Sequence, residues 1–354
     1  MKYQPKFTLT FLLITSVFFV KAQDGYFKVR EVKRDSSSLS FPIFSRIGDS
    51  STVKNINQLL QLQELQLLYG YQKDNIFENI SKLDTTHGLI IGISMLSCNV
   101  LANTPRTLSI KVNKSVSMPT TNYWVKYYNF NSGNGNLIQL KDLFKPEDFA
   151  FIKQMILEKR RAVFKNALQN VDKERQPYLM DILDCYQVDS LQDYYIQDTT
   201  IVIDGENCVS KNQKIFDLNI IAQFNLSEFK SYLNAYGRAV FGLTTDNMAK
   251  YHSFGLSQLF DGTIGNIPIT IIINHDYYNY DFSEGIRGEY IYRKYGQGII
   301  LEGTLNNNKL TLTEKTPDYK DNGYINATFD GKEINGTWTD STKTKTLKLI
   351  AKRR

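Results

Sequence analysis

Between Tyr123 and Ile152 the spacing of apolar residues changes once, and that change predicts the centre of the fold. Up to Phe130 the chain alternates: Tyr123, Val125 and Tyr127 share one face of a strand, and Trp124, Tyr128 and Phe130 lie on the other. Both faces carry bulk, so the strand is expected to be covered on both sides. Ser132-Gly133-Asn134-Gly135 supplies a reversal, and a short strand is expected after it. Pro146, with Glu147 and Asp148 behind it, then predicts a helix start. The helix is expected to run to about Asn170, burying Phe149, Ile152, Ile156, Val163 and Phe164.

Upstream, Val53, Ile56, Leu60 and Leu67 recur at helical spacing, with Ser51 or Thr52 as cap and Gln58, Gln61, Gln63 and Gln66 on the remaining surface. A shorter helix is expected over Asn75–Leu83, and strands over Leu89–Val100 and Thr107–Val116. Downstream, Tyr194–Asp204 and Lys214–Phe224 read as strands, and Ser227–Leu233 as a short helix capped at Ser227 or Asn225. Strands and helices without regular alternation predict an α+β module over residues 24–250.

The pattern changes after Asp261-Gly262. Ile269, Ile271 and Ile273 open a series of short alternating segments that runs to the end of the chain. Three segments share one design, Ile286-Arg287-Gly288-Glu289-Tyr290, Leu301-Glu302-Gly303-Thr304-Leu305 and Ile334-Asn335-Gly336-Thr337-Trp338, with glycine on the apolar face. A missing side chain there lets a sheet bend sharply, as a small closed barrel requires. Further inward stripes come from Leu310 with Leu312, Ile325 with Ala327 and Phe329, and Leu347 with Leu349. Residues 263–354 are therefore expected to form an all-β antiparallel meander of seven or eight strands, closed as a small barrel.

Residues 1–22 read as a signal peptide: Lys2 and Lys6 precede the apolar core Leu9–Val20, and Val20-Lys21-Ala22 suits cleavage. That core is shorter than the roughly 20 residues of a spanning helix, so the mature chain is expected to be exported, periplasmic or extracellular, without a transmembrane segment. Removing Lys2, Lys6 and Lys21 lowers the formal charge from +6 to +3, too little to imply a nucleic-acid partner. The run Lys159-Arg160-Arg161 with Lys165 reads as a solvated helix face at the negative end of the dipole.

Reactive chemistry is sparse. Of the cysteines Cys98, Cys185 and Cys208, the pair Cys185–Cys208 closes the shortest loop, and three buried thiols are the competing arrangement. His87, His252 and His275 stand apart, no His-x-x-x-His occurs, and neither a metal site nor a cofactor is expected. Asp318–Gly323 lacks the spacing and closing glutamate of a calcium loop. The richest aromatic run is His275–Phe282, where Tyr277, Tyr278 and Tyr280 with flanking carboxylates are candidate ligand-binding residues for a sugar. The competing reading packs these tyrosines over a barrel rim.

Residues Phe41 to about Leu233 also carry a family pattern. It comprises Pro42, Ile56-Asn57, Leu108-Ser109-Ile110, Tyr128-Asn129-Phe130, Gly133, Gly135 and the run Ile138, Leu140, Asp142, Leu143, Phe144. This stretch resembles the extracytoplasmic module of a lysozyme-sensing bacterial anti-sigma factor, also found beside peptidoglycan deacetylase domains. The Gly-Ala-His turn usual in that family is replaced by Ser117-Met118-Pro119-Thr120-Thr121-Asn122. The resemblance implies a binding or sensing module of the cell envelope, with peptidoglycan or a lysozyme-like protein as ligand, and no catalysis by this module. Two alternatives remain open: a glycan-active hydrolase using carboxylates that meet only in space, and a carrier of a small apolar ligand in the barrel.

Overall fold

The computed structural model describes residues 25–34, 38–70, 75–84, 89–117, 121–187, 193–253, 255–275, 285–296, 298–316 and 319–354. The expected signal peptide, His87 and the tyrosines Tyr277, Tyr278 and Tyr280 lie outside them.

The first module opens with β1 (Lys28–Lys33), β2 (Ser38–Ser45), α1 (Ser50–Leu65), β3 (Ser81–Asp84), β4 (Leu89–Asn103), β5 (Thr107–Ser117) and β6 (Thr121–Asn131). These strands form one sheet in the order β1-β2-β4-β5-β6, with β3 beside β4. Only the β2–β4 pair is parallel. The helix cap is Asp49, whose carboxylate accepts from Thr52 N at 3.1 Å, two or three residues before the expected cap. β3 occupies part of the expected helix over 75–83, because its backbone pairs with β4.

A second layer follows: α2 (Phe149–Leu168), α3 (Asp181–Gln187), β7 (Tyr194–Gln197), β8 (Thr200–Ile203), β9 (Ala222–Asn225), α4 (Leu226–Phe229) and α5 (Ala235–Val240). The expected strand over 194–204 is a hairpin, reversed at Asp198 with φ 51°. Of the expected strand over 214–224 only β9 forms, preceded by a 3-10 turn at Lys214–Phe216 and Asp217 at φ 44°. Asp and Asn tolerate left-handed backbone and favour turns over strands. In the short strand expected after Gly135, Leu137 makes a single bridge to Phe130, and Leu140–Leu143 is a 3-10 turn.

Buried polar side chains join the two layers. Asn129 Nδ2 donates to the Tyr194 carbonyl at 2.9 Å, and Ile196 N donates to Asn129 Oδ1 at 2.9 Å. Ser109 Oγ lies 2.7 Å from the Ile196 carbonyl. β6 is consequently covered on both faces from Tyr127 onward, whereas Tyr123 near its start is half exposed, short of the expected cover. Tyr128 and Phe130 enter the core with α1, while Tyr127 stacks on Tyr195 at 5.4 Å on the other side.

The second module is a closed barrel of eight antiparallel strands, each paired with its neighbour in sequence. They are β10 (Leu259–Ile264), β11 (Ile267–His275), β12 (Gly285–Tyr292), β13 (Gly298–Asn306), β14 (Lys309–Lys315), β15 (Asp321–Phe329), β16 (Glu333–Asp340) and β17 (Thr346–Arg353). Closure comes from β10 pairing with β17. The interior is packed with Phe260, Ile271, Tyr290, Leu312, Phe329 and their neighbours, all buried. At Gly303 and Gly336 neighbouring backbone occupies the place a Cβ would take, the close approach of a sharply bent sheet.

One expectation about α1 is corrected by the structure. Gln58 and Gln61 are not on a solvated face: both are buried, as is nearly every other residue from Ile56 to Leu65. Leu259, Ile272 and Ile291 of the barrel belong to the same core as Leu59 and Ile56. Gly298 N donates to the Gln66 carbonyl at 3.3 Å, and Asn274 Nδ2 to Gln63 Oε1 at 3.2 Å. The terminal basic residues are engaged in the fold: Arg354 holds Asp261 through two 2.9 Å hydrogen bonds, and Lys352 pairs with Glu333 at 2.9 Å.

Candidate functional site

Three groups of side chains could carry chemistry. The first lies where α1, the large sheet and the barrel meet. Glu64 is 3% exposed, 3.3 Å from Lys114 Nζ and 3.8 Å from Lys126 Nζ, and it accepts a hydrogen bond from Tyr128 Oη. Burial pushes its carboxyl up, but the two ammonium groups and the phenol outweigh burial and hold it below the usual glutamate range. Glu289, on the outer face of β12, behaves oppositely. Burial pushes its carboxyl up to about 8 against the pull of Lys114 and Lys126, and Glu64 adds to the rise. Its Oε2 is buried without a hydrogen-bond partner.

The second group lies between the layers of the first module. Asp204 is buried, accepts from Tyr127 Oη, and lies 3.6 Å from Lys111 Nζ, which also contacts Glu206 at 2.9 Å. Beside it, burial pushes the Asp193 carboxyl up to about 6 against its hydrogen bond from Asn207 and the pull of Arg160. The expected basic helix face is split here. Arg160 is buried, its guanidinium 3.8 Å from the Tyr186 ring centroid and its Nη2 3.8 Å from Cys208 Sγ, while Lys159 pairs with Glu228 at 2.7 Å. It points inward because Ile152, Ile156, Arg160 and Phe164 share the buried stripe of α2.

Cys185 and Cys208 form a disulfide with a Cα–Cα distance of 5.6 Å, tying α3 to the turn after β8. Cys98 is free and partly buried, and burial pushes its thiol well up, away from reactivity. Reducing the bridge, or replacing Cys185 and Cys208 by serine, is expected to lower stability by about 3 kcal/mol, the loop entropy for a 23-residue separation. Urea unfolding with and without dithiothreitol measures it.

The third group is inside the barrel. Glu314 shares the inward face with Leu310 and Leu312, accepts from Trp338 Nε1 at 3.0 Å and Asn322 Nδ2 at 3.1 Å, and burial pushes its carboxyl up.

Among the described residues, none of these groups lines the concavity of about 340 Å³. It lies elsewhere, between the end of α2 and the loop 216–221. Asn166, Asn170 and Asn219 line it with Asp217, Phe216 and Ile221. His252 and His275 are on separate elements, and no group of three or more His, Cys, Asp or Glu among the described residues could hold a metal ion. No described helix is long and apolar enough to cross a membrane. Sequence pattern alone did not single out Glu64, Lys114, Lys126 or Glu289, although a lone acid in the Leu/Gln-rich run of α1 is a usable signal for Glu64. No protein-family model matches the chain, and no curated protein is significantly similar to it.

Proposed function

We propose that this is an exported, non-enzymatic binding or sensing protein of the bacterial cell envelope, with wall glycan or a lysozyme-like protein as its ligand. The observation that carries the reading is the character of the concavity: three carboxamides and an apolar floor, with Asp217 as its one titratable group and no acid–base pair. Glu64, away from the concavity, is engaged with Lys114, Lys126 and Tyr128. The export pattern at residues 1–22 and the family pattern between Phe41 and Leu233 support the same reading. A carrier role for the barrel has little room, since buried side chains fill its axis.

One observation favours hydrolysis of glycan instead. Glu64 and Glu289 share Lys114 and Lys126, and their carboxyls are driven apart in acidity as a general acid and its partner are. Against it, they sit in the contact between helix and barrel, away from the concavity. Incubating the purified protein with immobilised lysozyme and with purified peptidoglycan, followed by analysis of the glycan, separates the readings. Retention of one ligand with the glycan unchanged is expected. Shortened or deacetylated glycan would overturn the proposal in favour of an enzyme, and retention of neither ligand would remove it.

A further inference from the structure

We infer that the concavity between α2 and the loop 216–221 is a binding site for a neutral saccharide bearing hydroxyl and acetamido groups. The inference rests on the binding reading above and names the ligand class of that protein.

The polar lining is uncommitted. No hydrogen bond within the described protein engages the side chains of Asn166, Asn170 or Asp217, and Asn219 makes only a 3.5 Å contact from Ile221 N to its Oδ1. A carboxamide offers donors and an acceptor together, the combination that hydroxyl and acetamido groups require. Phe216 and Ile221 add apolar surface for the face of a sugar ring or an acetyl methyl. At about 340 Å³ the space falls within the range of small-molecule sites.

Charge narrows the class. No lysine or arginine lines the concavity, Asp217 contributes an acid, and the site is at the negative end of the α2 dipole. Phosphate, sulfate and uronate ligands would meet repulsion there without a cation to offset it. The walls are also preorganised. Phe216 and Leu218 pack on the cluster of Phe164, Leu168, Val171 and Ile220, together with Cys208 of the disulfide. Asp217 keeps its left-handed backbone, φ 44°, within this packed loop.

The test titrates the purified, oxidised protein with tri-N-acetylchitotriose, its fully deacetylated form and a trigalacturonate, following amide signals by NMR. Saturable binding of the acetylated sugar is expected, with shifts concentrated in residues 163–171 and 216–221. The exposed double change Asn166→Ala with Asn170→Ala is expected to weaken binding at least tenfold, about 1.4 kcal/mol, without altering thermal unfolding. Because the shifts are read on unaltered protein, a poorly folding variant leaves the result intact. Three outcomes overturn the inference: no saturable binding of the acetylated sugar, shifts elsewhere, or equal binding of the trigalacturonate. Peptidoglycan or lysozyme retained equally by the double variant and the unaltered protein would sink this site and leave the envelope reading standing. Acetylated sugar bound here without retention of peptidoglycan or lysozyme would do the reverse.

Discussion

Valine in place of Gly303 is expected to cost roughly 4 kcal/mol or more, at the extreme of single substitutions. Gly303 faces the barrel interior opposite Leu312 of β14 and Ile286 of β12. A Cβ there would lie 2.8 Å from the Thr311 carbonyl carbon and 2.9 Å from Leu312 Cα, atoms of a paired strand that cannot turn aside as a side chain can. Relief requires β13 and β14 to separate, which opens the barrel. The barrel also covers α1 through Leu259, Ile272 and Ile291, so opening exposes the first core as well. Urea unfolding followed by tryptophan fluorescence and far-ultraviolet circular dichroism measures the loss. Gly265→Ala is the control: its nearest neighbour is 3.5 Å away, and only the ~1 kcal/mol of a left-handed backbone, φ 57°, is expected. A Gly303→Val protein as stable as its parent would show that close strand approach is not what this glycine provides.

That glycine was legible in the sequence, and the reason is instructive. Strand alternation places Gly288, Gly303 and Gly336 on the apolar face, and an empty position inside an apolar stripe has few causes other than a bend. The same parity put Leu310, Leu312 and Ile325 inside, so the barrel followed from local pattern. Glu314, which the structure places inward between Leu312 and the end of β14, was not among the residues that pattern singled out. The role of α1 was not legible. Its glutamines look solvated to any argument from periodicity, yet Gln58 and Gln61 are buried, and Gln63 meets Asn274 of a barrel that begins at Leu259, about two hundred residues away. Turns hidden in strand-like runs failed for a different reason. Tyr194–Asp204 alternates well enough, and only the cross-pairing of Gln197 with Thr200 reveals the reversal at Asp198. The concavity was illegible too, since Asn166 and Asn219 come from segments that meet through the packing of Phe164 and Ile220.

Glu64→Gln and Glu289→Gln, which each remove one carboxylate from the same contact zone, are expected to move stability in opposite directions. The first leaves Lys114 and Lys126 facing the barrel without their counter-charge. Losing one member of a buried pair costs about 3 kcal/mol, with the partial exposure of the lysines, 27% and 47%, keeping it near that lower value. Because its folded carboxyl is held below 4.5, the contribution of Glu64 is present above that pH and vanishes as pH falls through the lower folded value. Glu289 titrates with the opposite sign. Its carboxyl is raised from 4.5 to about 8, so its contribution is full below 4.5 and is lost as pH rises through 8. An amide at 289 cannot ionise, and is expected to stabilise the protein by up to about 4 kcal/mol at pH 8 while changing little at pH 4. Urea midpoints at pH 4, 6 and 8 test both signs. A Glu289→Gln protein less stable than its parent at pH 8 would mean an ionised Glu289 bound to the lysines, an ordinary salt-bridge network. The substitution also bears on chemistry, because a hydrolase working through this pair would lose glycan cleavage on the same change that stabilises it. A binding protein would keep its ligand and gain the stability.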